Sequence, residues 1–593
     1  TMFTETLYWD QKKKKIYIMN FRWNYQPPTS ELKEEAEALS RKIGISPILC
    51  KLLIQRGIKS EAEVQQFFNP QLKELLDPLL MEDMDKAVER INSAIEKNER
   101  ILVYGDYDAD GTTAVALVYN FLRRRYTNLD YYIPDRYNEG YGVSYQGVDY
   151  ASETGVKLVI VLDCGIKAIQ EIRYAKEKGI DFIVCDHHVP DDELPPAVAI
   201  LNAKREDSTY PFKHLSGCGV GFKLMHAFAL SNEIPFTELI PSLDLVAIST
   251  ASDIVPIMGE NRVLTYYGLQ QLNSNPSIGL RAIIQVCKLS DKVLTINDIV
   301  FKIGPRLNAA GRMSSGKKAV DLLVEQDYSK ALELAAKIDQ ENDDRKKDDK
   351  EMTEEANEIV KALEQEGQHQ NAIILYNENW KRGVIGIVAS RLTEIFYRPA
   401  IVLTKTGKLA TGSARSVSGF DVYKAIESCK DLLENFGGHT YAAGLSLKIE
   451  NVPEFKRRLE EYVTNHIEPD QIEAAIDIDA EIDFKDITPK FFRDLKKFQP
   501  FGPDNQKPVF CTHNVYDYGT SKVVGRGQEH IKLELIDSKS GHPLNGIAFG
   551  QSKHLNYIKT KRSFNICYYI EENNFRRGDV LLQIESIKPN LPS

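Results

Sequence analysis

Residues 101–110 read Ile-Leu-Val-Tyr-Gly-Asp-Tyr-Asp-Ala-Asp, and residues 184–188 read Val-Cys-Asp-His-His. Both stretches are short apolar runs that finish in metal-ligating side chains. The unbroken run Ile101–Tyr104 suits a strand buried on both faces. Asp106, Asp108 and Asp110 follow at alternate positions, so extended chain would carry all three carboxylates on one side. Carboxylates that close repel one another, burial raises their pKa values, and a divalent cation removes the conflict. A calcium loop of the D-x-D-x-D-G type competes with this reading. It lacks the preceding helix, and the glutamate expected further on is missing.

The same texture recurs along the chain. Runs at 130–133, 158–162, 182–185 and 198–201 read as strands, and helical patterns such as 168–178 fill gaps between them. Alternation of this kind predicts an α/β domain with a doubly wound parallel sheet. In such sheets ligands bind beyond the carboxyl ends of the strands. Asp163 directly follows Val-Ile-Val-Leu, and Asp186, His187 and His188 directly follow Phe-Ile-Val-Cys. Three strand ends therefore deliver ligand-type residues to one rim. Asp253 closes the stretch 243–252, apolar at helical spacing, and taken alone it is an ordinary helix-end aspartate. Oxygen-rich ligands with imidazole suit Mn²⁺ or Mg²⁺ better than zinc or copper. The ligands suffice for two ions, and a two-ion site points to phosphoester hydrolysis.

At 593 residues the chain is too long for one core. The eight cysteines form no C-x-x-C pair, as expected of a reduced, cytoplasmic protein without structural zinc. With a net charge of −10, nucleic acid would have to be held by local basic patches. No apolar run reaches the roughly 18 residues of a membrane span. Residues 1–18 read as an extension or tail before Met19, and 19–98 as a helical segment. Residues 99–329 form the metal-bearing domain. Residues 330–366 are a long connector helix whose charged middle is expected to face solvent, with a disordered linker as the alternative. A second α/β domain fills 367–465. Residues 466–593 are β-rich with glycine and asparagine turns, which suggests a small closed barrel of the OB-fold type.

Several stretches suit phosphate. Gly304-Pro-Arg-Leu-Asn-Ala-Ala-Gly-Arg312 places two arginines around a small-residue turn, and Gly412-Ser-Ala-Arg-Ser416 offers hydroxyls and a guanidinium in one loop. Phe436-Gly-Gly-His439 and Ala443-Gly444 admit close backbone approach, and Gly383-Val-Ile-Gly386 opens a helix whose free N–H groups favour an anion. Lys559, Lys561 and Arg562, and separately Arg576 and Arg577, are basic clusters in the barrel. Singly, each of these is an ordinary turn, helix start or solvated face.

With D-Y-D-A-D-G, V-L-D-C-G, V-C-D-H-H and A-S-D-I-V-P in this order, followed by G-G-H-T-Y-A-A-G, the chain resembles the DHH phosphoesterases with their DHHA1 domain. Within them it is most similar to the long, barrel-bearing enzymes that degrade single-stranded DNA from the 5′ end. The resemblance covers residues 20 to 590. It implies that Asp108, Asp110, Asp163, His187 and Asp253 hold two Mn²⁺ or Mg²⁺ ions. Asp106 would be either a ligand or a partner to one. Asp186 would orient the metal-binding histidine, and His188 would contact the scissile phosphate or assist proton transfer. Arg306, Asn308, Arg312, Ser413, Arg415, Gly438 and His439 would hold substrate phosphates. The expected substrate strand threads a narrow groove between the two lobes and is cut to 5′-mononucleotides, in DNA recombination and repair. A helicase and a single-strand-binding protein are implied as partners of a monomeric enzyme. The rival readings are a DHH phosphodiesterase acting on short oligonucleotides and a catalytically inactive replication scaffold. One departure is visible: a Trp-His pair is expected before G-V-I-G, and this chain has Trp380-Lys381-Arg382.

Overall fold

The computed structural model describes residues 21–368, 370–573 and 579–590. The extension at 1–18, Met19, and the basic pair Arg576 and Arg577 lie outside the described residues. The chain forms two compact units: one spans Asn69–Lys346 with Pro500–Gln506, and the other takes the residues up to Phe68, Lys347–Gln499 and the chain from Lys507 onward.

The first unit is built on a five-stranded sheet in the order Leu129–Tyr132, Arg100–Gly105, Val156–Leu162, Asp181–Cys185, Ala199–Leu201. All four pairings are parallel. Alternation within each strand explains why both faces are covered. Ile101, Val103, Ile160 and Ile183 enter one apolar core, whereas Leu102, Tyr104, Val159 and Val184 enter another on the opposite face. Side chains of this size contribute about 1.5–3 kcal/mol each when fully buried. Because the strands run parallel, their carboxyl ends at Gly105, Leu162 and Cys185 lie side by side, with Gly105 paired to Leu162 and Leu162 to Cys185.

Helix Tyr328–Gln365 carries 38 residues. Ala331, Ala335 and Ile338 pack into the core of the first unit, and Met352, Ala356 and Val360 into a core of the second. The charged middle faces solvent over most of 339–351, as expected, but not along one stripe. Asn342, Asp349 and Thr353 are buried. They fall on the stripe of three- and four-residue steps that runs through Ala335, Ile338 and Ala356. Asp349 accepts from the Thr353 hydroxyl and lies 3.7 Å from the Arg391 guanidinium.

In the second unit a mixed five-stranded sheet has the order Leu433–His439, Ala442–Lys448, Leu409–Arg415, Ala400–Thr406, Ile373–Tyr376. Gly412-Ser-Ala-Arg lies within strand Leu409–Arg415 and Phe436-Gly-Gly-His within strand Leu433–His439, where loops were expected. A closed barrel follows, as expected. Strands Phe510–Asp517, Phe564–Glu572, Val580–Pro589, Pro543–Ala548 and His530–Asp537 pair in turn, and the last returns to the first.

Candidate functional site

The chain leaves the strand at Gly105 and turns into helix Ala109–Leu122, with Asp108 at the N-cap accepting from Gly111 N at 2.9 Å. Asp110 already lies in the first helical turn. The three carboxylates therefore do not share one side of an extended strand; the turn divides them between two groups. Asp106 and Asp108 converge with Asp163, whereas Asp110 converges with His187 and Asp253. Within each group one ligand atom per residue lies within 4.8 Å of the others.

His187 Nε2 links the groups. It stands 3.1 Å from Asp163 Oδ1, 3.5 Å from Asp253 Oδ2 and 3.6 Å from Asp110 Oδ2. Asp163, grouped with Asp106 and Asp108, meets His187 of the other group from a backbone in the left-handed conformation, φ 61°, directly after the strand. That conformation is uncommon for a residue with a Cβ and concentrates at functional sites. The neighbouring helix comes close enough to need a glycine: a Cβ on Gly217 would lie 2.5 Å from that of Asp163.

Burial is nearly complete for Asp106, Asp110, Asp163 and Asp186. Burial, then the charge of Asp108, drives the Asp106 carboxyl well above its ordinary range, and burial with Asp110 and Asp108 does the same to Asp163. Asp108 is raised by burial and Asp110, and Asp253 is pushed up to about 9 by burial, Asp110 and Asp108. Burial lowers His187. Asp106 Oδ1, Asp163 Oδ1 and both ring nitrogens of His187 have no hydrogen-bond partner although buried. Unsatisfied buried acceptors beside crowded carboxylates fit a divalent cation, which neutralises the charge and occupies the lone pairs.

Asp186 is saturated by hydrogen bonds. Oδ2 accepts from Ile166 N at 3.0 Å, and Oδ1 from His187 N at 2.8 Å and from the His188 ring Nδ1 at 2.6 Å. Burial would raise this carboxyl, but the bond and charge of His188 outweigh it and hold the group down at about 2. The same contact overcomes burial to raise His188. The ring that Asp186 orients is thus that of His188 rather than that of the ligand-type His187, which corrects the sequence expectation. His188 keeps 44% of its side chain exposed.

The supports of Asp110 were missed in the sequence. This carboxylate accepts from Gly217 N at 2.7 Å, from Cys218 N at 2.8 Å and from the Ser249 hydroxyl at 2.6 Å. The two amides are free N–H groups at the start of helix Gly217–Ser231, capped by Ser216. Ser216 before a glycine-rich apolar run was a readable N-cap signal. Tyr141 was missed as well. Its hydroxyl donates to the Asp163 carbonyl at 3.1 Å and lies 3.3 Å from His188 Nε2.

The stretch 304–312 is a helix, Gly304–Met313, not a turn. Asn308 Oδ1 accepts from Ala109 N at 2.7 Å and so anchors the loop of the three aspartates. Arg306 is paired with Asp339 at 2.7 Å and also donates to Lys302 O, while the Arg312 carbonyl accepts from the Tyr137 hydroxyl. In the second unit Ser413 and Arg415 stand two apart on one strand, so they share a face. Across the ladder Arg415 is level with Ala442, and Ala442 with His439, which puts His439 on that face too. Gly438, one residue earlier, is level with Ala443. Arg415 Nη1 donates to Ser413 Oγ at 3.0 Å. The first turn of helix Ile385–Phe396 closes on this pair: a Cβ on Gly386 would lie 3.0 Å from Ser413 Oγ and 3.1 Å from Arg415 Nη2. Lys381 donates to both carboxylate oxygens of Asp348 at 2.7 Å. In the barrel, Lys559 lies 3.6 Å from Asp517.

A parallel sheet that gathers carboxylates and a D-H-H motif at its carboxyl rim defines a DHH-family phosphoesterase, and the profile of the DHH family, N-terminal domain, matches residues 100–250. Those of the DHHA1 domain and the RecJ OB domain match 369–465 and 478–586. The single-stranded-DNA-specific exonuclease RecJ of Haemophilus influenzae is 32% identical, with 94% of this chain and 99% of that protein covered. RecJ of Bacillus subtilis is 39% identical over 88% of this chain, which spans 65% of that protein. Among solved structures, RecJ of Thermus thermophilus in complex with Mn²⁺ superposes with a TM-score of 0.81 at 26% identity, covering 96% of this chain and 80% of that one. The chain belongs to the RecJ family.

Proposed function

We propose that this protein is a single-stranded-DNA-specific exonuclease that degrades DNA 5′→3′ to 5′-mononucleotides, in recombination and repair. The observation that carries the chemistry is the pair of ligand sets joined by the contact of Asp163 with His187, with buried ligand atoms that have no hydrogen-bond partner. Asp106, Asp108 and Asp163 would hold one Mn²⁺ or Mg²⁺; Asp110, Asp163, His187 and Asp253 would hold the other. When bound, the ions supply a water ionised near neutral pH and positive charge against the phosphoryl oxygens.

The chain's own groups do the rest. Asp186 fixes the Nδ1–H tautomer of His188, so that Nε2 faces outward toward the phosphate or the departing 3′ oxygen. Hydrolysis adds hydroxide to phosphorus, breaks the bond to the 3′ oxygen and leaves a proton on that oxygen. The amides of Gly217 and Cys218 hold Asp110 in place, and Asn308 holds the loop. Ser413, Arg415, His439 and the start of helix Ile385–Phe396 form the anion site for a substrate phosphate. Arg306 is engaged with Asp339 and takes a structural part. Single-stranded DNA is also held by the barrel through base stacking and basic side chains. Partition into the domains 99–329, 330–366, 367–465 and 466–593, cytoplasmic location, a monomeric state, and a helicase and single-strand-binding protein as partners belong to the same reading. Among the described residues no helix is long and apolar enough to cross a membrane.

The test is degradation of 5′- and 3′-labelled single and double strands with Mn²⁺. The unaltered protein should release label from the 5′ end of single strands, and Asp108→Ala with Asp110→Ala should release none. Preference for duplex, or persistent activity in the double variant, would overturn the reading.

A further inference from the structure

Three large apolar side chains stand in solvent around the carboxylate site, each tied to one of its groups. Tyr141 is 55% exposed, with its hydroxyl bound at Asp163 and His188. Val189, 65% exposed, directly follows His188, and Ile254, 62% exposed, directly follows Asp253. Ile254 is the most telling of them, because its backbone is left-handed, φ 58°. A β-branched residue is a genuine outlier there, and glycine or asparagine would avoid the cost. A residue kept in a strained conformation at a site, with its apolar side chain in water, signals a ligand contact. The metal-type groups recognise any phosphodiester and do not distinguish a nucleotide from a small ester.

We propose that Ile254, with Val189 and Tyr141, forms an apolar lip on which the nucleoside attached to the scissile phosphate lies, so that these side chains select nucleotide over simple phosphodiester. The inference rests on the exonuclease reading for its choice of nucleoside, the one that keeps the phosphate on its 5′ oxygen. Ile254 packs on the sugar and base, Val189 on the same surface beside His188, and the Tyr141 ring, held by its hydroxyl, supplies a stacking face.

The test uses Ile254→Gly and, as a second variant tolerant of the same backbone, Ile254→Asn. Turnover of thymidine 5′-(p-nitrophenyl phosphate) is compared with that of methyl p-nitrophenyl phosphate in Mn²⁺. The ratio of the two kcat/KM values is expected to fall about tenfold, the scale of losing one aliphatic contact. In EDTA, binding of thymidine 5′-monophosphate should weaken by a similar factor while the melting temperature holds or rises. An unchanged ratio in both variants, or a fall in melting temperature in both, would overturn the lip. Failure of the unaltered protein to degrade single strands would instead overturn the exonuclease reading, and the ester ratio would still decide the lip.

Discussion

His187 Nε2 stands 3.1 Å from Asp163 Oδ1, and neither atom has a hydrogen-bond partner. Two buried groups at that separation without a bond between them mark a place built for something else. Replacing Asp163 by Asn keeps the shape and removes one of the crowded carboxyls. In EDTA near pH 8 the variant is expected to be more stable than the unaltered protein, by roughly 1–2 kcal/mol in urea denaturation. Nuclease activity should fall more than about 100-fold.

The same pair sets a pH dependence. Asp163 holds its proton in the folded state far above the ordinary carboxylate range because of burial, Asp110 and Asp108. The unfolded chain loses that proton near pH 4, so this group's contribution to metal-free stability declines as pH rises above about 4. The advantage of Asp163→Asn in EDTA should accordingly widen between about pH 4.5 and about pH 8. An advantage that shrinks over that interval would contradict the assignment.

Metal affinity should depend on pH for a related reason. Asp253 is pushed up to about 9 by burial, Asp110 and Asp108, so at neutral pH a cation must displace its proton. Below about pH 9, Mn²⁺ affinity is expected to weaken by about tenfold per unit for each proton displaced. Calorimetric titrations in buffers of different ionisation enthalpy read the proton release directly.

Asp186→Asn separates orientation of His188 from metal binding. Asp186 gives its oxygens to Ile166 N, His187 N and the His188 ring. The variant should lose about 10–100-fold in kcat. Its Mn²⁺ stoichiometry should match that of the unaltered protein.

Asn308→Ala tests whether this residue positions the loop or touches phosphate. Losing the acceptor for Ala109 N should cost about 1–3 kcal/mol of stability. Asn308→Asp, which keeps the acceptor, should restore most of it. KM for 5′-phosphorylated strands should stay near that of the unaltered protein in Asn308→Asp, whereas a phosphate ligand would show a rise.

Much of the site could be read from the sequence because parallel strands make order into place. An apolar run buried on both faces ends at the rim, so the residue after it is at the rim too. Asp163, Asp186 and His187 were legible for that reason, whereas Asp253, which ends an apolar helix, read as an ordinary helix-end aspartate and entered only through the family resemblance. What escaped depends on contacts between distant segments. Tyr141 reaches Asp163 and His188 from a glycine-flanked loop, with no periodic pattern to mark it. The strand holding Ser413 and Arg415 looked like a loop because its small residues hide the alternation of a sheet; Gly412 faces Leu403 and Leu445. The connector misled because polar Asn342 and Asp349 occupy positions where an apolar residue is the usual sign of burial.

Titration of metal-free protein with Mn²⁺, followed by calorimetry and by the free-ion signal in electron paramagnetic resonance, tests the shared-ligand arrangement most directly. Two ions per chain are expected for the unaltered protein, with both sites weakened in Asp163→Asn because Asp163 belongs to one set and its Oδ1 lies 3.1 Å from His187 Nε2 of the other. One ion per chain, or two ions bound undiminished in Asp163→Asn, would contradict it.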